Sequence, residues 1–386
     1  MHKFIILLIL INIVSFGCSS RDLPTPPDRF GNYDPPDDDS DSPPPDPIPN
    51  EKTRWDVPGG AGEIVRGCLG LDCIPSLQNP ALVNLDEANY LQDDDLILGL
   101  VRNDAVVAYP HRILDWHEVI NQTLSRNSKI AITYCPLTGS GIGINLIGTA
   151  ADNMGAGSFG VSGLLYNNNL ILYDRTTTSN WSQMLLRSVH GPLRGELVIT
   201  VPIIETSWQT WKKMFPDSKV VSENTGLDRP YHIYPYGNYK TVPALLYGVT
   251  IDDARLHRKE RLHGIIADRW NFKAKTYRFS LFENEARAIN DEVHGKPVVV
   301  AGMKSANFYI SYSRIVSGAV LTFDVKTDAP QIFPFDLIDN EGNVWNLLGE
   351  AVSGPRTGQK LIPTISYNAY WFAWGAFFPD VTIYGE

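Results

Sequence analysis

Cysteine is scarce, with four in 386 residues, too few to build a disulfide scaffold at this length. No apolar run reaches the roughly 20 residues that cross a bilayer as a helix; the run from Phe4 to Val14 stops at eleven. Positive charge is also short, 33 Lys and Arg against 43 Asp and Glu. A net charge of −10 argues against a phosphate-binding surface over much of the protein, and so against nucleic acid as a partner. Two glycine-rich motifs fall short of the patterns they approach. Gly139-Ser-Gly-Ile-Gly143 lacks the full dinucleotide-binding spacing, and Phe159-Gly-Val-Ser-Gly163 has glycine directly after its serine, unlike a nucleophile elbow. What remains is 43% hydrophobic, enough for a sizeable core and about two domains.

The N-terminus reads as an address. His2 and Lys3, the apolar run and small residues before Cys18 make an export signal. Ser15-Phe16-Gly17-Cys18 is similar to a bacterial lipoprotein processing site, so residues 1–17 are expected to be a signal peptide and Cys18 to be acylated. Two acyl chains give stable anchoring where one is marginal. This places the protein in the bacterial cell envelope with a membrane as partner, the outer membrane in preference to the inner. Residues Ser19 to Lys52 contain ten prolines and nine acidic side chains, a composition that cannot bury enough apolar surface to fold. Residues 18–53 are therefore expected to be a lipid-anchored, disordered stalk, reaching up to roughly 100 Å if extended.

From residue 54 onward the chain repeats itself. Trp181-Ser-Gln, Val189-His-Gly-Pro-Leu-Arg-Gly195 and Trp208-Gln-Thr-Trp211-Lys-Lys-Met-Phe215-Pro-Asp217 have counterparts in Trp345-Asn-Leu, Val352-Ser-Gly-Pro-Arg-Thr-Gly358 and Trp371-Phe-Ala-Trp374-Gly-Ala-Phe-Phe378-Pro-Asp380, displaced by 163 or 164 residues. The reading is a tandem duplication over 54–240 and 241–386. Each copy alternates β-like apolar runs with Gly-Pro turns and ends in an aromatic helix. In the first such helix Trp208, Trp211 and Phe215 share one face, which predicts core packing. The expected fold class is α+β, a mainly antiparallel β unit with short helices.

The blocks Ala108-Tyr-Pro110, Trp116-His-Glu-Val-Ile-Asn121, Thr133-Tyr-Cys-Pro-Leu137, Phe159-Gly-Val-Ser-Gly-Leu-Leu-Tyr166, Leu172-Tyr-Asp-Arg175, Trp181-Ser-Gln183 and Thr225-Gly226 with Arg229 closely resemble, in that order, the bacterial and archaeal family of unknown function DUF3179. The resemblance covers nearly the whole body and implies relatives without implying an activity. Many relatives read Tyr-Cys-Pro-Leu-Cys, where this chain has Thr138 in the last place, so a two-cysteine redox or metal motif is not available at this point of the chain.

Comparison of the copies nominates a site. The first alone carries His117, Cys135 and Arg175, where the second has Ala286, Met303 and Asn340. If His117 and Cys135 converge, they could ligate a soft metal such as copper or zinc, with His111, Glu118 or Met154 as further donors. The same pair could act as base and nucleophile in an enzyme working on a small envelope substrate. Tyr173, Asp174, Arg175, Trp181 and Gln183 could support the same pocket, with Arg175 binding a carboxylate or phosphate. Asp174 survives as Asp339 in the second copy, which favours a turn-capping or ion-pairing role. Cys68 and Cys73 read as a local disulfide in an exported protein, or with Cys135 as metal ligands. Tyr231, Tyr234, Tyr236 and Tyr239 read as a linker packed between the copies with wet hydroxyls, or as the surface of a non-catalytic interaction module. The run Arg255 to Arg261 reads as a solvated face.

Overall fold

The computed structural model describes residues 55–102, 105–148, 157–326 and 332–386. The signal segment, Cys18, the whole stalk and Met154 lie outside the described residues, all of which belong to one compact unit. Strand outweighs helix, 43% against 11%, and the helices are short, so the fold is α+β with β dominant. No described helix is long and apolar enough to cross a membrane.

In the first half, β1 (Leu96–Arg102) and β2 (Ala105–Pro110) form a hairpin. The run Leu96-Ile-Leu-Gly-Leu100 is apolar without alternation because its central residues are buried on both faces of the sheet. Helix α1 (His111–His117) follows Pro110, and Glu118 stops it with a φ of 58°. The strands β3 (Val119–Ser125), β4 (Ser128–Cys135) and β5 (Ser140–Asn145) then form an antiparallel meander. A second hairpin joins β6 (Phe159–Tyr166) to β7 (Asn169–Asp174). Its turn residues Asn167 and Asn168 have φ of 48° and 60°, which asparagine tolerates. Strand β8 (Ile203–Ser207) returns to pair with β1 and leads into α2 (Trp208–Met214).

The second half presents β9 (Arg261–Asp268) and β10 (Lys273–Arg278), the meander β11 (Arg287–Val293), β12 (Lys296–Met303) and β13 (Phe308–Ser313), and the pair β14 (Phe323–Lys326) and β15 (Asp336–Asp339). Strand β16 (Ser366–Tyr370) pairs with β9 and leads into α3 (Trp371–Phe377). The order β8-β1-β2 extends to a parallel strand at Lys219–Val221, and β16-β9-β10 extends to a parallel strand at Thr382–Ile383. Most other pairings are antiparallel.

The helix tryptophans are core residues. Trp208, Trp211, Trp371 and Trp374 are buried, and each half leaves a glycine for one indole. A Cβ on Gly99 would stand 2.0 Å from Trp211, and one on Gly264 would stand 2.1 Å from Trp374. Each half also ties its meander to the next strand with one asparagine. The Asn121 amide donates to Phe159 O at 2.8 Å and accepts from Phe159 N at 2.9 Å; Asn290 does the same with Phe323 at 2.7 and 2.8 Å.

The halves clasp each other. Strand β8 packs beside β13, and β16 packs beside β5. The backbone N–H of Tyr370 donates to Thr138 O at 2.8 Å, while Thr206 Oγ1 donates to Ala306 O at 3.0 Å. Ile204 packs into the second half's core.

Candidate functional site

His117, the last residue of α1, is completely buried. Its Nδ1 lies 2.7 Å from Pro75 O and its Nε2 lies 2.7 Å from the Tyr231 hydroxyl. A carbonyl only accepts, so Nδ1 carries the proton and Nε2 accepts from Tyr231. Burial lowers the ring's pKa to about 4, which keeps it neutral near pH 7. Cys135 ends β4, is 1% exposed, and donates from Sγ to Asn168 O at 3.5 Å. Burial raises its thiol pKa, and the nearby Glu118 adds to the effect, the opposite of what activates a nucleophilic cysteine. Both nitrogens of His117 are thus engaged by partners other than Cys135. Among the described residues no three His, Cys, Asp or Glu side chains are grouped to hold a metal ion, so a copper or zinc donor set is not assembled among them.

The supporting residues divide into separate groups. Glu118 accepts from the Tyr236 hydroxyl at 3.2 Å. Arg175 gives its fork to Asp72 at 2.6 and 2.8 Å, and Tyr173 donates to the same carboxylate. Asp72 lies inside the loop closed by the disulfide between Cys68 and Cys73, so Arg175 anchors this loop to the sheet. Asp174 does not pair with Arg175; it caps the following turn through Thr177 N at 2.6 Å and accepts from Trp181 Nε1 at 3.0 Å. Asp339 and Trp345 repeat the second contact at 2.8 Å. Gln183 belongs to a fully buried polar network, accepting from Ser140 Oγ and Asn169 Nδ2 at 2.7 Å each and donating to Thr133 Oγ1 at 3.0 Å.

Two readings of the connecting segments need correction. The linker tyrosines do not keep their hydroxyls in water. Those of Tyr231, Tyr234, Tyr236 and Tyr239 bond His117, Pro136 O, Glu118 and Leu137 O, strapping the linker onto the first half. The run from Arg255 to Arg261 is not one solvated face. Arg255 and Arg258 make exposed ion pairs with Asp253 and Asp252, but Lys259 is 7% exposed, and Arg261 turns inward to pair with the buried Glu205.

That inward turn leads to a polar cleft between the halves. Opposite Leu98 of β1 stands Glu205 of β8, and opposite His263 of β9 stands Asn368 of β16. Asn368 Oδ1 lies 3.0 Å from His263 Nδ1, and its amide also hydrogen-bonds Glu205. His263 Nε2 lies 2.8 Å from Ser311 Oγ, which is 2.6 Å from Thr364 Oγ1 and 3.1 Å from Ser366 Oγ. These residues, with Tyr309, border a cavity of about 70 Å³, which shares lining with a neighbouring one of about 130 Å³ running toward Leu186 and Thr200. Tyr309 is 3% exposed and its hydroxyl has no hydrogen-bond partner among the described residues. Burial lowers the His263 pKa to about 4 and raises that of Glu205, which Arg261 opposes.

The sequence reading passed over His263, Ser311 and Asn368. It sought what the first half alone carries, whereas the reverse comparison places His263 against Leu98, Ser311 against Gly143 and Asn368 against Glu205.

These features define a β-rich protein of two clasped halves enclosing a polar cleft. A family model described as a protein of unknown function (DUF3179) matches residues 71–381, and the chain belongs to that family. No curated protein and no solved structure matches it.

Proposed function

We propose that this is a lipid-anchored protein of the bacterial cell envelope, held to a membrane by Cys18 through its acidic stalk. Its body is a tandem duplication that binds a small carbonyl-bearing molecule in the cleft between the copies. Support for the duplication comes from the equivalent sheet orders, the paired asparagine brackets and the two glycine–tryptophan contacts. The observation that carries the binding reading is Tyr309, a residue of the cavity lining whose buried hydroxyl has no hydrogen-bond partner among the described residues. A buried donor left unsatisfied costs about 1–3 kcal/mol, which a ligand carbonyl would recover. Ser311, Thr364 and Ser366 supply further hydroxyls, while Ile203, Ile204 and Ile310 give the cavity apolar walls, the mixed lining that binds and orients small molecules.

A Cys/His enzyme at His117 and Cys135 has weaker support, because the imidazole nitrogens are engaged elsewhere and the thiol is held protonated. Ligand-observed NMR with N-methylacetamide tests the cleft. Saturation transfer is expected in wild type and should fall with Tyr309→Phe; equal transfer in both, or none in wild type, overturns the assignment.

A further inference from the structure

From the sequence Ser311, His263, Asn368 and their common cavity, we infer that the cleft is a serine-nucleophile site for acyl transfer from small esters. The inference rests on the reading of the cleft as a binding site and adds the reaction. Three side chains from three strands of the second half form the chain of contacts that nucleophilic catalysis needs. Ser311 Oγ stands 2.8 Å from His263 Nε2, and His263 Nδ1 stands 3.0 Å from Asn368 Oδ1. The carbonyl oxygen of Asn368 only accepts, so it fixes the proton on Nδ1 and leaves Nε2 free to take the Ser311 proton. Glu205 accepts from the Asn368 amide and sets which way that amide faces. Asn368 and Glu205 are therefore positioning residues, and Ser311 and His263 are the catalytic pair.

Depressed basicity in His263 keeps the imidazole unprotonated at neutral pH, the form a general base requires. Two features go beyond an internally satisfied polar core: the group borders a cavity, and Tyr309, on the same strand as Ser311 and in the lining of that cavity, has a buried hydroxyl with no partner among the described residues. The hydroxyls of Tyr309 and Ser366 are the donors at hand for a developing oxyanion, while that of Thr364 donates to Ser311 O at 3.3 Å. A cavity of about 70 Å³ suits a small acyl group such as acetyl.

The reaction balances with water as the second substrate. Ser311 Oγ bonds to the ester carbon as its proton passes to His263 Nε2, and the carbonyl π electrons move onto oxygen. Collapse breaks the bond to the alcohol oxygen, which takes the proton from Nε2 and leaves as the alcohol. Water then attacks the acyl-serine in the same way, releasing the carboxylic acid and restoring the Ser311 hydroxyl.

Methanesulfonyl fluoride is small enough to probe this cavity and forms a sulfonate ester with a reactive serine, expelling fluoride. Peptide mass spectrometry of the treated full chain should find the adduct on Ser311. Its rate should fall about 100-fold in His263→Gln, as expected for loss of a general base, with far-UV circular dichroism reporting that the variant is folded. The wild-type rate should be level near neutrality and decline as the pH falls through about 4. Asn368→Asp should move that decline to higher pH, because a carboxylate beside the ring favours imidazolium; a purely structural role would lower the rate without moving it. Adducts only on other residues, or a Ser311 rate indifferent to His263→Gln in folded protein, overturn the inference. If N-methylacetamide binds the cleft but Ser311 stays unmodified, acyl transfer falls and the binding reading stands; if neither occurs, both fall.

Discussion

Gly264→Ala tests how tightly the aromatic core is fixed. The new Cβ would meet Trp374 at 2.1, 2.3 and 2.5 Å from three atoms of its six-membered ring. Ordinary contact begins near 3.4 Å, so the indole or the strand must retreat by more than an ångström. The ring has little room for this. Trp374 is completely buried, stacks on Tyr367 with centroids 4.8 Å apart, and leans on Phe378 at 5.4 Å. Overpacking of this kind costs about 1–3 kcal/mol, and a rigid ring as the obstacle places this case near the top. A cost of about 3 kcal/mol corresponds to a fall in Tm of roughly 6–12 °C.

Gly248→Ala is the control, since a Cβ there meets nothing within 4 Å; it should stay within about 0.5 kcal/mol of wild type. Differential scanning calorimetry of both variants reads the difference. In a double-mutant cycle, Trp374→Phe should relieve the clash and couple favourably to Gly264→Ala by about 1 kcal/mol or more. A Gly264→Ala melting point matching that of Gly248→Ala would refute the reasoning. Because Tyr367 also lines the cleft, the clash should disturb that wall of the site as well.

Acid should destabilise the body through its buried histidines. His117 and His263 have folded pKa values near 4, lowered by burial. Such groups cost nothing above the unfolded value near 6.5; as the pH falls below it, the unfolded chain binds protons first and stability is lost until about 4. At pH 5 the loss is about 2 kcal/mol per histidine, so the unfolding free energies obtained from urea titrations at pH 7 and pH 5 should differ less in His117→Gln than in wild type by about that amount. Asn121→Ala and Asn290→Ala each remove a two-bond bracket. Asn121 is the more buried, so in chemical denaturation its loss should cost about 2–4 kcal/mol and that of Asn290 somewhat less; a negligible cost in both would remove the brackets from the account. Cys135 should resist iodoacetamide in folded protein at neutral pH and react once unfolded, as followed by mass spectrometry of its peptide. Fast modification in the folded state would contradict its burial.

Part of the scaffold was legible in the sequence because several of its motifs recur. The Gly-Pro turns and the aromatic helices recur at a nearly constant spacing, and each is a local conformational or short-range packing demand. Asn167 and Asn168 suit their hairpin turn because asparagine accepts its positive φ. The cleft was less legible. Ser311, His263 and Asn368 are separated by tens of residues and meet only through pairing of β9 with β16 and packing against β13. His117 and Cys135 stood out because they lie in a specific motif, yet their partners, Tyr231, Pro75 and Asn168, come from distant segments that no spacing revealed. The basic run misled because charge pattern does not say which side chain turns inward. Glu205, far away in sequence, decides that for Arg261.

The central claim is that the cleft between the halves is the functional site. Its most direct measurement is a crystal structure of the protein soaked in N-methylacetamide. The account predicts the amide in the cavity bounded by Tyr309, Ser311 and Asn368, with its carbonyl oxygen accepting from the Tyr309 hydroxyl. An empty cleft with the probe bound elsewhere, or Tyr309 turned onto a protein partner, would contradict it.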